Sequence, residues 1–158
     1  RMVKRHDVAI IFIDYLQLVR VRGFEHRSRN EEVSEVSGGL KAMAKELRIP
    51  VVVLSQLSRS PESDGQRKPR LSDLRDSGAM EQDADVVCLL RRPSRLAKDK
   101  ERDDESLAVV EIAKHRNGPG GDARLNFEDE YTRFEDRARE VAGDEPAAHE
   151  ALPAYAAK

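Results

Sequence analysis

The sequence predicts an α/β fold with a mainly parallel sheet, and three observations carry this prediction. Residues 8–13 (VAIIFI) form a continuous apolar run, which is typical of a strand covered on both faces. Residues 33–47 repeat apolar side chains at the three- and four-residue spacing of a helix, and residues 51–54 (VVVL) form a second apolar run. A strand, a crossover helix and a strand together predict a right-handed βαβ unit.

Local signals mark the ends of the predicted helix. Three glutamates lie near its start, where carboxylates interact favourably with the helix dipole. Pro50 ends it, because the residue before a proline is pushed out of helical geometry. Gly38 and Gly39 fall in its middle, and each is expected to cost up to about 1 kcal/mol relative to alanine.

Further strands are predicted beyond the βαβ unit. Residues 85–90 predict a third buried strand, in which Cys88 is expected to be a packed thiol. Residues 107–113 and 123–127 predict two strands joined by a glycine-rich turn, which together make a terminal β-hairpin. Residues 131–134 predict one further edge strand.

The last part of the chain differs in composition from the rest. Residues 138–158 are rich in alanine, glutamate and proline, with few large apolar side chains, and this predicts a disordered tail. Residues 1–137 are long enough to form one domain with its own core.

Composition favours a soluble, cytoplasmic protein. The single cysteine allows no disulfide within the chain, and no apolar run approaches membrane-spanning length or resembles a signal peptide. The four histidines are too scattered to predict a local metal site. The net charge of -2 does not point to nucleic acid, but bases cluster within residues 20–29, 67–70 and 91–102. Each cluster either contacts a phosphate backbone or is an ordinary solvated surface.

Polar side chains follow both strands of the βαβ unit. Asp14 comes directly after the first strand, and Ser55 and Gln56 follow the second. Because parallel strands bring their carboxyl ends to one edge of a sheet, where α/β proteins bind ligands, Asp14 is a candidate for holding Mg²⁺ beside a phosphate. The alternative is that Asp14 only begins a turn.

Five sequence blocks occur in an order that is similar to one known family. They are IDYLQL at 13–18, LKAMAKEL at 40–47, LSQL at 54–57, SDLRDSGAMEQDAD at 72–85 and KHRNGP at 114–119. From residue 8 to residue 134 the chain resembles the carboxyl-terminal RecA-like motor domain of the bacterial replicative DNA helicases of the DnaB family. The resemblance implies a P-loop NTPase core that uses ATP and Mg²⁺, assembles as a hexameric ring, moves on single-stranded DNA and works with primase and a helicase loader.

The resemblance also implies roles for individual residues at the nucleotide. Asp14 matches the Walker B acid that holds Mg²⁺, and Gln56 matches the sensor that contacts the terminal phosphate. Arg116 matches the arginine finger that reaches a neighbouring subunit's nucleotide, with Lys114 as its companion. Alternation along a strand places Lys114 and Arg116 on the same side, and His115, where relatives often carry glutamine, on the other.

A second set of residues matches the loop that follows DNA in the family's central channel. Arg75, Asp76 and Gly78 are the matching positions, and arginine and glycine suit contacts with phosphate oxygens. Two positions depart from the family pattern. Asp76 replaces the common glutamate, and Gly38 stands where relatives often have a basic residue.

One expected motif is missing from the sequence. The phosphate-binding pattern G-x-x-x-x-G-K-[ST] does not occur, so the chain is expected to be the second half of a motor domain, to leave a sheet edge exposed and to hydrolyse no ATP alone. Two alternatives stay open. The first alternative is that the chain belongs to a RecA- or RadA-like recombination or repair ATPase. The second is that it is a non-catalytic module that binds a helicase or DNA.

Overall fold

A parallel strand pair packed on a long helix is followed by an antiparallel sheet. The computed structural model describes residues 6–22, 28–58, 67–74, 78–96 and 98–137. Within these ranges the elements are β1 (Ile11–Ile13), α1 (Arg29–Leu47), β2 (Val51–Val53), α2 (Gly78–Asp83), β3 (Val86–Arg91), β4 (Leu107–His115), β5 (Gly121–Glu128) and β6 (Arg133–Asp136). The predicted tail, residues 138–158, lies outside the described residues.

The parallel pair β1–β2 and helix α1 form the predicted βαβ unit. Ile11 pairs with Val51 and Ile13 with Val53, as expected for strands joined by a crossover helix. The two strands were predicted to be buried on both faces, but Phe12 is 67% exposed and its partner Val52 is 40% exposed. Among the described residues only the face toward α1 is therefore covered, and β2 has no strand on its other edge.

Helix α1 starts earlier than predicted because of a capping box. The Ser28 side chain accepts a hydrogen bond from the Glu31 N–H, while the Glu31 carboxylate accepts one from the Ser28 N–H at 2.9 Å. The helix continues through Gly38 and Gly39 and ends at Leu47, and the backbone of Arg48, which follows it, is left-handed. Val33 and Val36 from its buried face pack with Leu16 into a small core.

The second sheet has the order β3-β4-β5-β6 and is antiparallel throughout the described residues. The pairing of the chain is therefore mixed, with the parallel part limited to β1–β2, rather than mainly parallel. The terminal hairpin is confirmed: β4 and β5 are joined by the predicted glycine-rich turn. The rings of Phe127 on β5 and Phe134 on β6 lie 4.8 Å apart between centroids.

Strand β3 corrects a second expectation. Its side chains alternate, with Val87, Leu89 and Arg91 buried and Cys88 and Leu90 exposed. A strand buried on one face shows this alternation, whereas the prediction required burial on both. Cys88 is consequently an exposed thiol and not a core residue. In the described part of the chain no helix is both long and apolar enough to cross a membrane.

Candidate functional site

The structure brings the ends of β1 and β2 to one edge, as the sequence predicted. Leu54 N–H donates to the Ile13 carbonyl at 2.9 Å, and Leu16 N–H donates to the Leu54 carbonyl at 2.9 Å. These bonds extend the strand pairing around Asp14, which is exposed. Gln56 follows two residues after Leu54 and is also exposed. Both predicted nucleotide-site residues of this edge are therefore accessible to a ligand.

Gln17 connects the two strand ends directly. Its Nε2 donates to Ser55 Oγ at 3.0 Å and to the Gln56 carbonyl at 3.3 Å, and its Oε1 accepts from the Gln56 N–H at 3.3 Å. A single amide thus holds the backbone of Gln56 with both its donor and its acceptor. The sequence reasoning missed Gln17, although a polar residue between Leu16 and Leu18 was a visible signal.

Arg29, at the start of α1, holds the same segment from the other side. Its Nη2 donates to the Gln17 carbonyl at 2.8 Å and its Nη1 to the Val19 carbonyl at 3.3 Å. Nη1 also pairs with the Glu32 carboxylate. We call Gln17, Arg29 and Glu32 the strand-end clamp, because together they tie the ends of β1 and β2 to the helix.

Glu32 completes the strand-end clamp as a buried acid, with only 7% of its surface exposed. Its Oε1 accepts from the Val21 N–H at 2.9 Å, and its Oε2 accepts from Arg20 at 3.0 Å and from Arg29. The Val21 hydrogen bond, followed by those from Arg29 and Arg20, lowers the pKa of Glu32 from 4.5 to about 2. Two bases of the 20–29 cluster therefore have a structural partner.

Acid is expected to destabilise the protein partly through Glu32. Because its folded-state pKa of about 2 lies below the ordinary value of 4.5, the unfolded chain takes up the proton first as the pH falls. This stabilisation is fully present above about pH 5 and is lost progressively toward pH 2. Urea midpoints measured between pH 7 and pH 3 should therefore fall more steeply for the native chain than for Glu32→Gln.

The matched control for this comparison is Glu35→Gln, which removes an exposed carboxylate one turn along the same helix. It should keep the native pH dependence. Equal slopes for Glu32→Gln and the native chain would show that Glu32 is not the titrating group.

Lys114 and Arg116 lie on the same side of the β4 end, as predicted. Lys114 Nζ donates to the carbonyls of Glu81 and Gln82, and Arg116 Nη2 donates to the Gln82 carbonyl at 2.8 Å. Both cations therefore sit at the carboxyl end of α2, where backbone carbonyls point outward. Arg116 remains 47% exposed in its side chain.

Asp85 is a partner of Arg116 that the sequence reasoning missed. Its carboxylate pairs with Lys41 of α1 and, at 3.3 Å, with Arg116 Nη1. The hydrogen bond from Lys41 is the main cause that lowers the pKa of Asp85, and the charge of Arg116 adds to it. Asp85 thus holds Arg116 beside α1 through a shared carboxylate.

His115 points away from Lys114 and Arg116, as the alternation predicted. Its Nδ1 lies 3.0 Å from the Pro119 carbonyl, across the turn. A Cβ atom at Gly118 would lie 2.5 Å from the His115 ring, so this turn requires glycine unless the ring moves. His115 therefore has a structural role in shaping the turn between β4 and β5.

The structure assembles the predicted residues into two separate groups. Asp14 and Gln56 share one edge, and Lys114 and Arg116 share another, and among the described residues no hydrogen bond or ion pair joins the groups. Arg75 and Asp76 lie outside the described residues, and Gly78 is the exposed first residue of α2. No cluster of three or more histidine, cysteine, aspartate or glutamate side chains suited to a metal occurs in the described ranges.

Curated relatives match most of this chain but extend well beyond it. The replicative DNA helicase DnaB of Leifsonia xyli is 49% identical over 138 residues, which are 87% of this chain and 30% of the relative. The replicative DNA helicase DnaB of Geobacillus stearothermophilus is 46% identical over 134 residues, 85% of this chain and 29% of the relative. The chain thus spans about 30% of the length of these relatives.

Solved structures give the same result for the fold. A solved ATPase domain superposes with a TM-score of 0.73 at 44% identity, covering 82% of this chain and 44% of that one. A DnaB-like replicative helicase, solved in a study of its interactions with primase, gives 0.72 at 44% identity over 82% of this chain and 30% of that one. These matches confirm the RecA-like α/β fold. Since the family pattern of the DnaB-like helicase C-terminal domain also matches residues 1–136, the chain belongs to that family.

Proposed function

We propose that this chain is part of a replicative DNA helicase in which ATP hydrolysis drives translocation along single-stranded DNA and unwinding of the duplex. The observation that carries the proposal is the junction of β1 and β2, where Gln17 joins the strand that ends in Asp14 to the backbone of Gln56. An exposed acid and an exposed amide at one edge of a RecA-like sheet are suited to a nucleotide. Family membership supports the same reading.

The residues at this edge fit the Mg²⁺ complex of ATP. In nucleotide sites Mg²⁺ is bound through one or two carboxylates together with phosphate oxygens, so a single exposed aspartate at position 14 is a suitable protein ligand. Bound there, the metal supplies charge stabilisation to the phosphates. The Gln56 amide donates to the terminal phosphate or orients the attacking water.

The strand-end clamp connects Gln56 to helix α1. Gln56 is bonded through its backbone to Gln17, and Gln17 is bonded through its carbonyl to Arg29 at the start of α1. When the terminal phosphate leaves, a shift of Gln56 moves Gln17 with it and alters the Arg29 contacts. We propose that this is how the state of the nucleotide reaches the basic segment that precedes α1.

Lys114 and Arg116 act on the nucleotide of the adjacent subunit in this proposal. A ring built from repeated head-to-tail interfaces presents one surface of each subunit to a different surface of the next. Asp85 and the Gln82 carbonyl hold Arg116 in place while its side chain stays half-exposed. Arg116 then stabilises the charge that develops on the transferred phosphoryl group.

Family membership supports the partners proposed for this helicase. Single-stranded DNA is held along its backbone by the loop containing Arg75, Asp76 and Gly78, which reads no sequence and so lets every sequence pass. The ring is a hexamer, and primase and a helicase loader are its protein partners in the cytoplasm. A solved relative has been studied for its interactions with primase.

The proposal is tested by ATP hydrolysis in the presence of single-stranded DNA. The purified chain should show no turnover, because it contains no phosphate-binding loop. The helicase that contains this chain should hydrolyse ATP, and Asp14→Asn should lower that rate by at least about 100-fold, since charge stabilisation by a metal is worth several kcal/mol.

Asp103→Asn is the control for this test, because it removes an aspartate whose side chain is 96% exposed in the loop between β3 and β4. It should leave the rate unchanged. Turnover by the isolated chain that Asp14→Asn abolishes, or full activity of the helicase carrying Asp14→Asn, would contradict the proposed role.

A further inference from the structure

Arg116, the proposed arginine finger, is held by the carboxyl end of α2 and the two residues that follow it. Its backbone N–H donates to the Asp85 carbonyl at 2.8 Å, its Nη1 contacts the Asp85 carboxylate at 3.3 Å, and its Nη2 donates to the Gln82 carbonyl at 2.8 Å. Lys114 Nζ also donates to the Gln82 carbonyl. The positions of both cations therefore depend on where residues 82–85 lie.

Helix α1 holds this segment through two polar contacts. The Ser37 hydroxyl donates to Asp83 Oδ2 at 2.7 Å, and the Lys41 ammonium group pairs with Asp85 Oδ2. Ser37 is buried, and the Lys41 side chain is only 19% exposed. Because Ser37 and Lys41 are four residues apart, they lie on one face of the helix. That face of α1 therefore fixes residues 83–85.

Apolar packing supports the same arrangement of the two helices. Met80 of α2 packs against the small core that contains Val33 of α1. Val33, Ser37 and Lys41 follow one another at intervals of four residues, so the polar contacts continue the buried face of α1 toward its carboxyl end. The position of α2, and with it the carbonyl group that accepts from Arg116, is thus set by α1.

Lys41 and Arg116 use different oxygens of the Asp85 carboxylate. Lys41 pairs with Oδ2, and Arg116 Nη1 contacts Oδ1. Since 54% of the Asp85 side chain is exposed, packing alone does not fix the carboxylate, and its bond to Lys41 orients Oδ1 toward Arg116. The same bond is the main cause that lowers the pKa of Asp85, which favours the charged form that pairs with Arg116. Lys41 therefore acts on Arg116 through Asp85.

The same helix also holds the edge of the sheet that carries Gln56. Arg29, at the start of α1, donates to the Gln17 carbonyl at 2.8 Å, and Gln17 binds the backbone of Gln56. Twelve residues separate Arg29 from Lys41, which corresponds to about 18 Å along the helix axis. Helix α1 thus contacts one group of candidate residues at its start and reaches Arg116 through the Lys41 contact.

We propose that Lys41 and Asp85 are positioning residues for Arg116, so that helix α1 sets where this arginine meets the phosphoryl group bound by the neighbouring subunit. The inference rests on the proposed function, because it takes Arg116 to be the arginine finger. The Arg116 side chain is 47% exposed and has several rotatable bonds, so without these contacts it samples other positions. A displacement of about 1 Å can lower the rate of an enzyme by about 100-fold.

The test replaces Lys41 with methionine in the proposed helicase, which removes the ammonium group and keeps an unbranched side chain. We expect kcat for ATP hydrolysis to fall by about 10- to 100-fold with little change in KM for ATP, because Arg116 is present but no longer held in place. Lys41→Arg should restore most of the rate, since a guanidinium also donates to a carboxylate. Lys45→Met, the control, removes an exposed lysine one turn along α1 that affects Asp85 through charge alone, and it should keep the native kcat.

A double variant separates positioning from a purely structural role. In the helicase that already carries Arg116→Ala, adding Lys41→Met should leave the single-turnover rate within about twofold, because no finger remains to be positioned. Asp85→Asn, which preserves the shape of the side chain, should show the same dependence on Arg116. Equal losses in both backgrounds, or a native kcat for Lys41→Met while Arg116→Ala is slow, would overturn the inference and leave the proposed function intact. A native kcat for Arg116→Ala would instead overturn the finger role itself, and the inference with it.

Discussion

Replacing Arg116 with alanine in the proposed helicase is expected to lower kcat for ATP hydrolysis by about 10³- to 10⁵-fold, the range typical of an arginine finger. The side chain is expected to act on charge that exists only in the transition state, so KM for ATP should change little. The fold should tolerate the change. Asp85, which loses Arg116, still pairs with Lys41, and the site is exposed.

His115→Ala is the matched control, since it removes the adjacent side chain on the opposite side of the strand end. It should retain most of the native kcat, because the hydrogen bond of the His115 side chain is to the Pro119 carbonyl in the turn. An Arg116→Ala helicase that keeps its rate within about tenfold, with native stability and ring assembly, would exclude a finger role. Steady-state ATPase assays and thermal unfolding of both variants make the comparison.

Replacing Asp99 with alanine is expected to destabilise the chain by about 3–5 kcal/mol, the usual cost of removing one partner of a buried ion pair. Asp99 is fully buried and Arg91 is 4% exposed in its side chain. Without Asp99, Arg91 keeps only a 3.3 Å contact with Glu101, which is already shared with Arg124. Urea denaturation followed by circular dichroism measures the difference in free energy of unfolding.

Asp103→Ala serves as the control for Asp99→Ala, because it lies in the same loop but its side chain is 96% exposed. Its ion pair with Arg102 spans 3.8 Å, and exposed pairs of this kind contribute about 0–1 kcal/mol. If both variants unfold at the same urea concentration, the ion pair between Arg91 and Asp99 does not stabilise the fold as expected.

The elements that could be predicted from the sequence are those with strong local signals. Apolar runs and helical periodicity located β1, α1 and β2 because each pattern repeats within a few residues, and the glycine-rich turn located the β4–β5 hairpin. Neither the direction of the strands nor the number of their buried faces had such a local signal. The apolar run at residues 86–90 is compatible with burial on one face or two, and only the burial seen along β3 shows that Cys88 is exposed.

The placement of a candidate site residue could be predicted only where its position in the sequence, at the end of a strand, determines where it lies. Asp14 and Gln56 follow strands, and Lys114 and Arg116 occupy alternate positions at the end of β4. Their placement therefore follows from their positions in the sequence. Gln17, Arg29 and Glu32 contribute through contacts across the βαβ unit, which no local sequence pattern specifies.

The basic cluster at residues 91–102 shows why charge runs are ambiguous in a sequence. Arg91 is buried against Asp99, and Arg92 forms two 2.7 Å bonds to Asp129 while its guanidinium lies 4.3 Å from the centroid of the Phe127 ring. These two arginines stabilise the fold, whereas Lys98 and Lys100 in the same run are exposed. Only tertiary contacts separate the two groups.

The most direct test of a nucleotide site shared between subunits is to mix Asp14→Asn subunits with Arg116→Ala subunits and measure ATP hydrolysis. In random mixed rings about one interface in four joins an intact Asp14 to an intact Arg116, because each head-to-tail interface takes one surface from each neighbour. We predict that the mixture regains activity that neither variant has alone. Mixed rings seen by native mass spectrometry without any recovery of ATP hydrolysis would contradict a nucleotide site shared between Asp14 of one subunit and Arg116 of the next.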